Sequence, residues 1–225
     1  MKESQSLAKE HRKMDFGTKL YKRPLDLVIL VSAHLFLAPL WALLWAVIPL
    51  AIWLQDQGPI FFRQQRVGRN GRIFTVLKFR TMIPDAEKHT GAVWSINNDP
   101  RITPVGRILR WTALDELPQL LNIWKGEMSL AGPRAERPEF HEQFAREIPG
   151  FDQRLQVRPG LTGLAQVKGV YDLAPAEKLC YDLEYIQKMG LWLDVKLILL
   201  SIRNTLLAKW DRPQGDPASK ESGAR

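Results

Sequence analysis

Cysteine is nearly absent from this 225-residue chain: Cys180 stands alone, so neither an intramolecular disulfide nor a thiolate zinc site can form. Histidine is scarce as well. His11, His34, His89 and His141 are scattered without ligand spacing, which argues against a histidine metal site. No glycine-rich turn opens a helix after a strand, so a P-loop and a dinucleotide fingerprint are both unsupported. Alternating βαβ units are lacking too, which counts against a Rossmann-type nucleotide-sugar enzyme. Acidic residues are in deficit, 24 against 32 lysines and arginines, for a net charge of +8. That balance suits nucleic acid, anionic lipid or a phosphorylated substrate without choosing among them.

Charge is missing altogether from Leu27 to Leu54, 28 residues without Asp, Glu, Lys or Arg. The run is too long for a secretory signal and no small-residue cleavage site follows it. Its length makes it a membrane candidate, but Pro39 and Pro49 each remove a helical hydrogen bond and invite a kink. Divided at Pro39, the halves would reach only about 18 and 22 Å at 1.5 Å per residue. Neither crosses a hydrocarbon core of about 30 Å. Both flanks are basic: Lys13, Lys19, Lys22 and Arg23 precede the run, and Arg63, Arg66, Arg69 and Arg72 follow. The positive-inside preference then wants both ends on one side. A helix-break-helix hairpin bent at Ala38-Pro39, dipping into one leaflet and returning, satisfies all three features. A kinked, tilted spanning helix is the competing reading. Trp41, Trp45 and Trp53 in this run, with Trp192 and Trp210 near the C-terminus, suit a membrane–water boundary or core packing.

The remaining pattern predicts an α+β chain, mostly helical. Residues 1–18 read as a polar arm, 19–56 as the apolar hairpin, 57–210 as the remaining folded body, for which the resemblance given below implies a cytoplasmic catalytic domain, and 211–225 as a disordered tail. Ile60–Arg80 reads as a β-hairpin turning at Gly68-Arg69-Asn70-Gly71. Pro84–Lys88 reads as one helical turn, and Asn97-Asn98-Asp99-Pro100 as a turn. Helices are predicted over Pro104–Trp111, Pro118–Lys125, Pro138–Glu147, Pro175–Met189 and Leu191–Trp210. Gln156–Val167 reads as irregular to extended. The last helix has Leu193, Leu197, Leu200 and Leu207 at helical spacing and a basic side. It fits a membrane surface or a place on the core.

The most informative stretch is Trp111-Thr112-Ala113-Leu114-Asp115-Glu116-Leu117-Pro118-Gln119-Leu120. Two adjacent carboxylates stand at the mouth of a helix, after Arg107 and Arg110. Asp115 sits at or just before the helix N-terminus, where free N–H groups keep a carboxylate ionised. A nucleophile aimed at a phosphate ester needs that arrangement. An N-cap at Asp115 with a first-turn partner at Glu116 explains the same residues.

Several blocks, in order, resemble the monotopic phosphoglycosyl transferases, bacterial sugar transferases that start glycan assembly on a polyprenol phosphate. They are Arg23-Pro24-Leu25-Asp26, Gly58-Pro59-Ile60-Phe61-Phe62, Phe74-Thr75-Val76-Leu77-Lys78-Phe79-Arg80-Thr81-Met82 and Asp99-Pro100-Arg101-Ile102-Thr103-Pro104-Val105-Gly106-Arg107. After these come Leu114-Asp115-Glu116-Leu117-Pro118-Gln119-Leu120, Met128-Ser129-Leu130-Ala131-Gly132-Pro133-Arg134, Val157-Arg158-Pro159-Gly160-Leu161-Thr162-Gly163 and Leu193-Asp194-Val195-Lys196. The resemblance covers roughly Lys19 to Trp210. It implies a membrane-seated fold with a re-entrant hairpin and amphipathic interfacial helices around a catalytic Asp115-Glu116 dyad working with Mg²⁺. Asp115 would attack the sugar-bearing phosphate of a UDP-sugar, expel UMP and hold an aspartyl-phosphosugar. Polyprenyl (undecaprenyl) phosphate would then take the phosphosugar.

The same resemblance makes Arg110, Arg134 and Arg158 phosphate- or substrate-binding candidates. Lys78 and Arg80, pointing the same way from the second strand, could bind phosphate. A surface helix for Arg110, a solvated strand face for Lys78 and Arg80, and a loop-fixing salt bridge for Arg158 are the competing readings. The resemblance makes Asp115 and Glu116 metal ligands, with Glu116 holding the metal or handling a proton, and Asp182 and Asp194 matching positions of structural or site support. Three positions depart from the family pattern. Ala38-Pro39 replaces a frequent Ser-Pro at the bend, Ala135 replaces a proline after Gly-Pro-Arg, and Val167-Lys168-Gly169-Val170 lacks a common Asn-Gly-Arg.

The expected place is the cytoplasmic face of a bacterial inner membrane, with UDP-sugar, polyprenyl phosphate and the bilayer as partners and a homodimer left open. A non-catalytic basic membrane adaptor is the competing function. Nucleic-acid binding is disfavoured by the uncharged run and the lack of a recognition motif.

Overall fold

A computed structural model describes residues 19–88, 91–93, 99–168 and 173–210. The polar arm, the tail, Asn97-Asn98 of the expected turn and the Gly169-Val170 part of the departure lie outside the described residues. The described chain is mostly helical with two small sheets, an α+β arrangement.

Helices α1 (Lys22–Phe36) and α2 (Ala38–Asp56) meet at Leu37, whose φ of −108° and ψ of 20° break the helical path. Pro39 stands in the first turn of α2, where its missing N–H costs no internal bond. The interruption lies at Leu37, immediately before Ala38-Pro39. Its polar support comes from another quarter: Trp41 Nε1 donates to the Ala33 carbonyl (3.0 Å), and the Trp41 ring stacks on His34 at 5.1 Å. Pro49 does not end α2, which runs on to Asp56. The second arm is thus longer than a length argument based on the prolines allows. By length and composition α2 is long and apolar enough to cross a membrane.

Both arms are rooted in the same body. Asp26 of α1 accepts hydrogen bonds from Ser129 Oγ and Leu130 N, both at 3.0 Å. Leu30 packs with Phe74, Val76, Ile123 and Met128. On α2, Ile48 and Ile52 pack with Phe79 and Leu109, and Asp56 pairs with Arg80. The middle of the hairpin, including Leu35, Phe36, Leu40 and Leu43, is exposed.

Strands β1 (Phe61–Val67) and β2 (Ile73–Phe79) pair antiparallel, with Phe62 opposite Lys78 and Arg66 opposite Phe74. The connecting turn places Asn70 (φ 56°) and Gly71 (φ 76°) in the left-handed region, which Asn-Gly tolerates best. Pro84–Lys88 is a turn, not a helix. Helix α3 (Pro104–Thr112) is capped by Thr103, whose side chain accepts from Gly106 N. It ends at Ala113 (φ 53°), and a 3₁₀ helix, Leu114–Gln119, leads into α4 (Leu120–Lys125).

Beyond α4, β3 (Ser129–Ala131) pairs in parallel with β4 (Gly160–Thr162). The strands are joined by α5 (Pro138–Glu147) and a 3₁₀ helix over Phe151–Gln156. Gly132 and Gly160 are required here, because a Cβ on Gly160 would lie 2.1 Å from Gly132 N. The irregular-to-extended stretch expected over Gln156–Val167 contains the extended β4, but continues into a short helix, α6 (Leu164–Lys168), that the sequence pattern does not predict. Tertiary pairing across about thirty residues decides this, and no local pattern announces it. Helices α7 (Pro175–Lys188) and α8 (Leu191–Leu206) close the fold, with Tyr185, Ile186 and Leu197 packed beneath Ala131 and Val157. Trp192, Leu199, Ile202 and Leu206 of α8 remain exposed.

Candidate active site

Asp115 and Glu116 occupy the first turn of the 3₁₀ helix, and both are buried. Ala113 takes the N-cap position with no side-chain capping bond, so neither carboxylate caps the helix. The capping explanation open from sequence fails here, because Ala113 turns left-handed and starts the 3₁₀ helix earlier.

Glu116 is the hub. Its Oε1 accepts from Lys78 Nζ and from Arg134 Nη2, each at 2.6 Å, while Arg134 Nη1 lies 3.4 Å from Oε2. Lys78 is delivered by β2 and Arg134 by the irregular segment after β3. Burial would raise the Glu116 carboxyl, but the Arg134 and Lys78 charges overcome it and hold Glu116 well below the usual carboxylate range. The Glu116 charge in turn pushes the Arg134 guanidinium up. Burial pulls the Lys78 ammonium down.

Neither cation is paired with Asp115. Burial pushes its carboxyl up to about 6, against the opposing pull of Lys78 and Arg110, so it is largely ionised at neutral pH. Its environment therefore differs from a freely ionised helix terminus: desolvation sets the level, and nearby positive charge restrains the rise. Arg110 belongs to the last turn of α3. It contributes to the field around Asp115, as Arg134 does.

The structure thus gathers Asp115, Glu116, Lys78, Arg110 and Arg134. It does not bring in the other two predicted cations. Arg80, just past the end of β2, turns to Asp56 at the foot of α2. Arg158, before β4, lies in the field of Arg69, Arg23 and Asp26. Asp182 pairs with Arg154 at 2.7 Å, and Asp194 with Lys22 at 3.0 Å, so both are built into the scaffold. Sequence reasoning missed Arg66 and Arg154, which hydrogen-bond the backbone around Arg134. Neither carries a local signal, since an arginine bound to a distant carbonyl looks like any surface arginine.

Among the described residues no three metal-capable side chains converge. Two adjacent carboxylates still fit Mg²⁺, which commonly takes one or two carboxylates and completes its shell with phosphate and water. They suit no softer ion.

The model of the bacterial sugar transferase family matches residues 17–208. The chain is 42% identical over 189 residues to a UDP-N-acetylgalactosamine-undecaprenyl-phosphate N-acetylgalactosaminephosphotransferase of Aeromonas hydrophila, covering 82% of this chain and 43% of that protein. It is 39% identical over 212 residues to an undecaprenyl-phosphate glucose phosphotransferase of Komagataeibacter xylinus, covering 89% of this chain and 38% of that one. Against a UDP-glucose:undecaprenyl-phosphate glucose-1-phosphate transferase of Caulobacter vibrioides it is 41% identical over 192 residues, 83% and 70% of the two chains. The chain spans about two fifths of the length of the first two relatives. With a family match over nearly its whole described length, this chain belongs to the bacterial sugar transferases.

Proposed function

We propose that this protein is a phosphoglycosyl transferase that moves a sugar 1-phosphate from a UDP-sugar to polyprenyl (undecaprenyl) phosphate, starting assembly of a bacterial glycan. The observation that carries this reading is the division of labour in the dyad. Glu116 is paired through Oε1 with both Lys78 and Arg134, while Asp115 stays outside those two ion pairs, buried within the field of Lys78, Arg110 and Arg134.

Such an unpaired carboxylate is a competent nucleophile toward phosphorus once the charge of the diphosphate is screened. An Asp115 oxygen attacks the phosphorus that bears the sugar, and the bond to the UMP phosphate breaks. UMP leaves with the bonding electron pair, and Asp115 holds the phosphosugar as an acyl phosphate. A phosphate oxygen of the polyprenol then attacks the same phosphorus, and Asp115 departs as a carboxylate. Arg134, Lys78 and Arg110 bind and orient the phosphates and offset their charge. Asp115 and Glu116 would hold Mg²⁺, which supplies further charge neutralisation at the diphosphate.

The helical hairpin fits a re-entrant seat on the cytoplasmic leaflet of the inner membrane. Both of its arms end in one body, whereas a spanning helix would carry its ends to opposite sides. The Asp56–Arg80 pair ties the foot of α2 to the end of β2, and β2 carries Lys78. The site then lies close to the level where a polyprenol headgroup emerges.

The test incubates the purified protein with a panel of UDP-sugars and Mg²⁺. Release of UMP with a phosphosugar mass gained at Asp115, both lost in Asp115→Asn, supports the reading. Binding to membranes without UMP release would favour the adaptor reading. Reporter tags at the two ends of the chain accessible from opposite sides would overturn the re-entrant seat.

A further inference from the structure

Arg134 sits on an irregular segment outside any sheet ladder, yet the backbone around it is fixed at four consecutive carbonyls. Pro133 O accepts from Gly160 N (2.9 Å), Arg134 O from Arg154 Nη2 (2.7 Å), Ala135 O from Arg66 Nη1 (2.8 Å) and Glu136 O from Val67 N (2.9 Å). Two of the four donors are guanidinium groups. From this geometry we infer that Arg154 is a positioning residue for Arg134, holding its backbone so that its guanidinium meets Glu116 and the substrate phosphate. The inference rests on the proposed transferase reading for what Arg134 does, and on the structure for how it is held.

Arg154 is 5% exposed, a costly place for a guanidinium unless every face is matched. It is matched on several sides. Asp182 of α7 lies 2.7 Å from Nη2 and Glu136 lies 3.5 Å from Nη1. The guanidinium carbon stands 4.9 Å from the centre of the Phe151 ring. A path of direct contacts therefore runs from α7 through Asp182 and Arg154 to the Arg134 carbonyl. It continues through the Arg134 side chain to Glu116 Oε1 at 2.6 Å. Arg154 touches neither Glu116 nor Asp115. Its effect must pass through Arg134.

A scaffold pair alone could explain a buried Arg154–Asp182 contact, but it would leave the carbonyl bond idle. An ordinary surface loop tolerates shifts of an ångström. A phosphate clamp does not, since a misplacement of about 1 Å at a reacting group can lower rates by about 100-fold. Arg154→Lys keeps the positive charge beside Asp182 but replaces the planar fork that serves Asp182 and the Arg134 carbonyl together.

The test is a double-variant cycle on the full chain, reading UMP release from UDP-sugar with Mg²⁺ and hydrogen exchange over residues 133–137. Arg154→Lys should remain folded by thermal unfolding, lose about 10- to 100-fold in kcat/KM and exchange faster at 133–137. Arg134→Ala should lose at least as much. The double variant should lose no more than Arg134→Ala alone, because an anchor has nothing to place once the guanidinium is gone. Asp182→Asn, which loosens Arg154 without removing it, provides a milder version if Arg154→Lys fails to fold. Wild-type kcat/KM in a folded Arg154→Lys, or losses that multiply in the double variant, would overturn the inference. A wild-type protein that releases no UMP overturns the transferase reading instead. The exchange measurement then still decides whether Arg154 holds the segment.

Discussion

Two charge clusters in this molecule use the same residue types to opposite ends. At the root of α1, Lys22 is buried with one carboxylate, Asp194, at 3.0 Å. Its other two protons go to the Ala131 carbonyl (2.5 Å) and the Tyr185 hydroxyl (2.9 Å). Tyr185 donates to Asp194 Oδ1 at 2.7 Å, and Tyr21 to Oδ2 at 2.8 Å. Every ammonium proton is matched, and the second buried carboxylate nearby, Asp26, is held by Ser129 Oγ and Leu130 N. Around Glu116 the balance is different. Lys78, Arg110 and Arg134 bear on two carboxylates, and one of these, Asp115, belongs to neither ion pair. This closed set, in which the Lys22 ammonium, Tyr185 and Asp194 bond one another, is scaffold: it fastens α1 to β3, α7 and α8. Around Glu116 a buried carboxylate, Asp115, stands beside the ion pairs without joining them, which leaves it available to a ligand.

The sharpest way to break this contrast is to exchange single atoms in each cluster. Asp115→Asn should lower UMP release by at least about 10⁴-fold with little change in thermal unfolding. A large stability change with activity retained would make Asp115 a scaffold residue. Asp194→Asn should do the reverse, destabilising the protein by about 3–5 kcal/mol through the unpaired Lys22, as read by denaturant unfolding in detergent. Glu116→Gln should cost about 10²-fold in UMP release, since Lys78 and Arg134 lose the charge that gathers them. Tyr185→Phe, the smallest change, should cost about 1–3 kcal/mol of stability and leave the KM for UDP-sugar unaltered. If it shifted that KM, the two clusters would be coupled and the division between them would fall.

Much of the first cluster was hidden from the sequence, and much of the second was legible in it. The Asp115-Glu116 pair stands out because two carboxylates adjoin an arginine-bearing helix, and the ordered family blocks surround it. Lys78 and Arg134 lie inside such blocks. Lys22, Tyr185 and Asp194 are separated by 163 and 172 residues from Lys22 onward, so no local pattern joins them. The β1–β2 hairpin was readable from strand-forming residues around Asn-Gly. The three-residue pair β3–β4 was not, because its stability comes from glycine backbones in close contact across a long connection. At the break between α1 and α2 the sequence shows Ala38-Pro39, with no hydroxyl in the pair. The polar support comes from an indole, Trp41, which only the folded hairpin carries back to Ala33.

The sequence by itself determined the apolar hairpin and its proline break, the α+β character, the basic balance and the dyad with its family. These depend on composition, on period and on residues near one another in the chain. Tertiary structure alone decided that Glu116, not Asp115, takes both cations, and that Arg80 turns away to Asp56. It also decided that Arg154 reaches the Arg134 carbonyl. The reason is physical. A charge selects its partner by distance and desolvation in the folded state, and neither quantity is written in the order of residues.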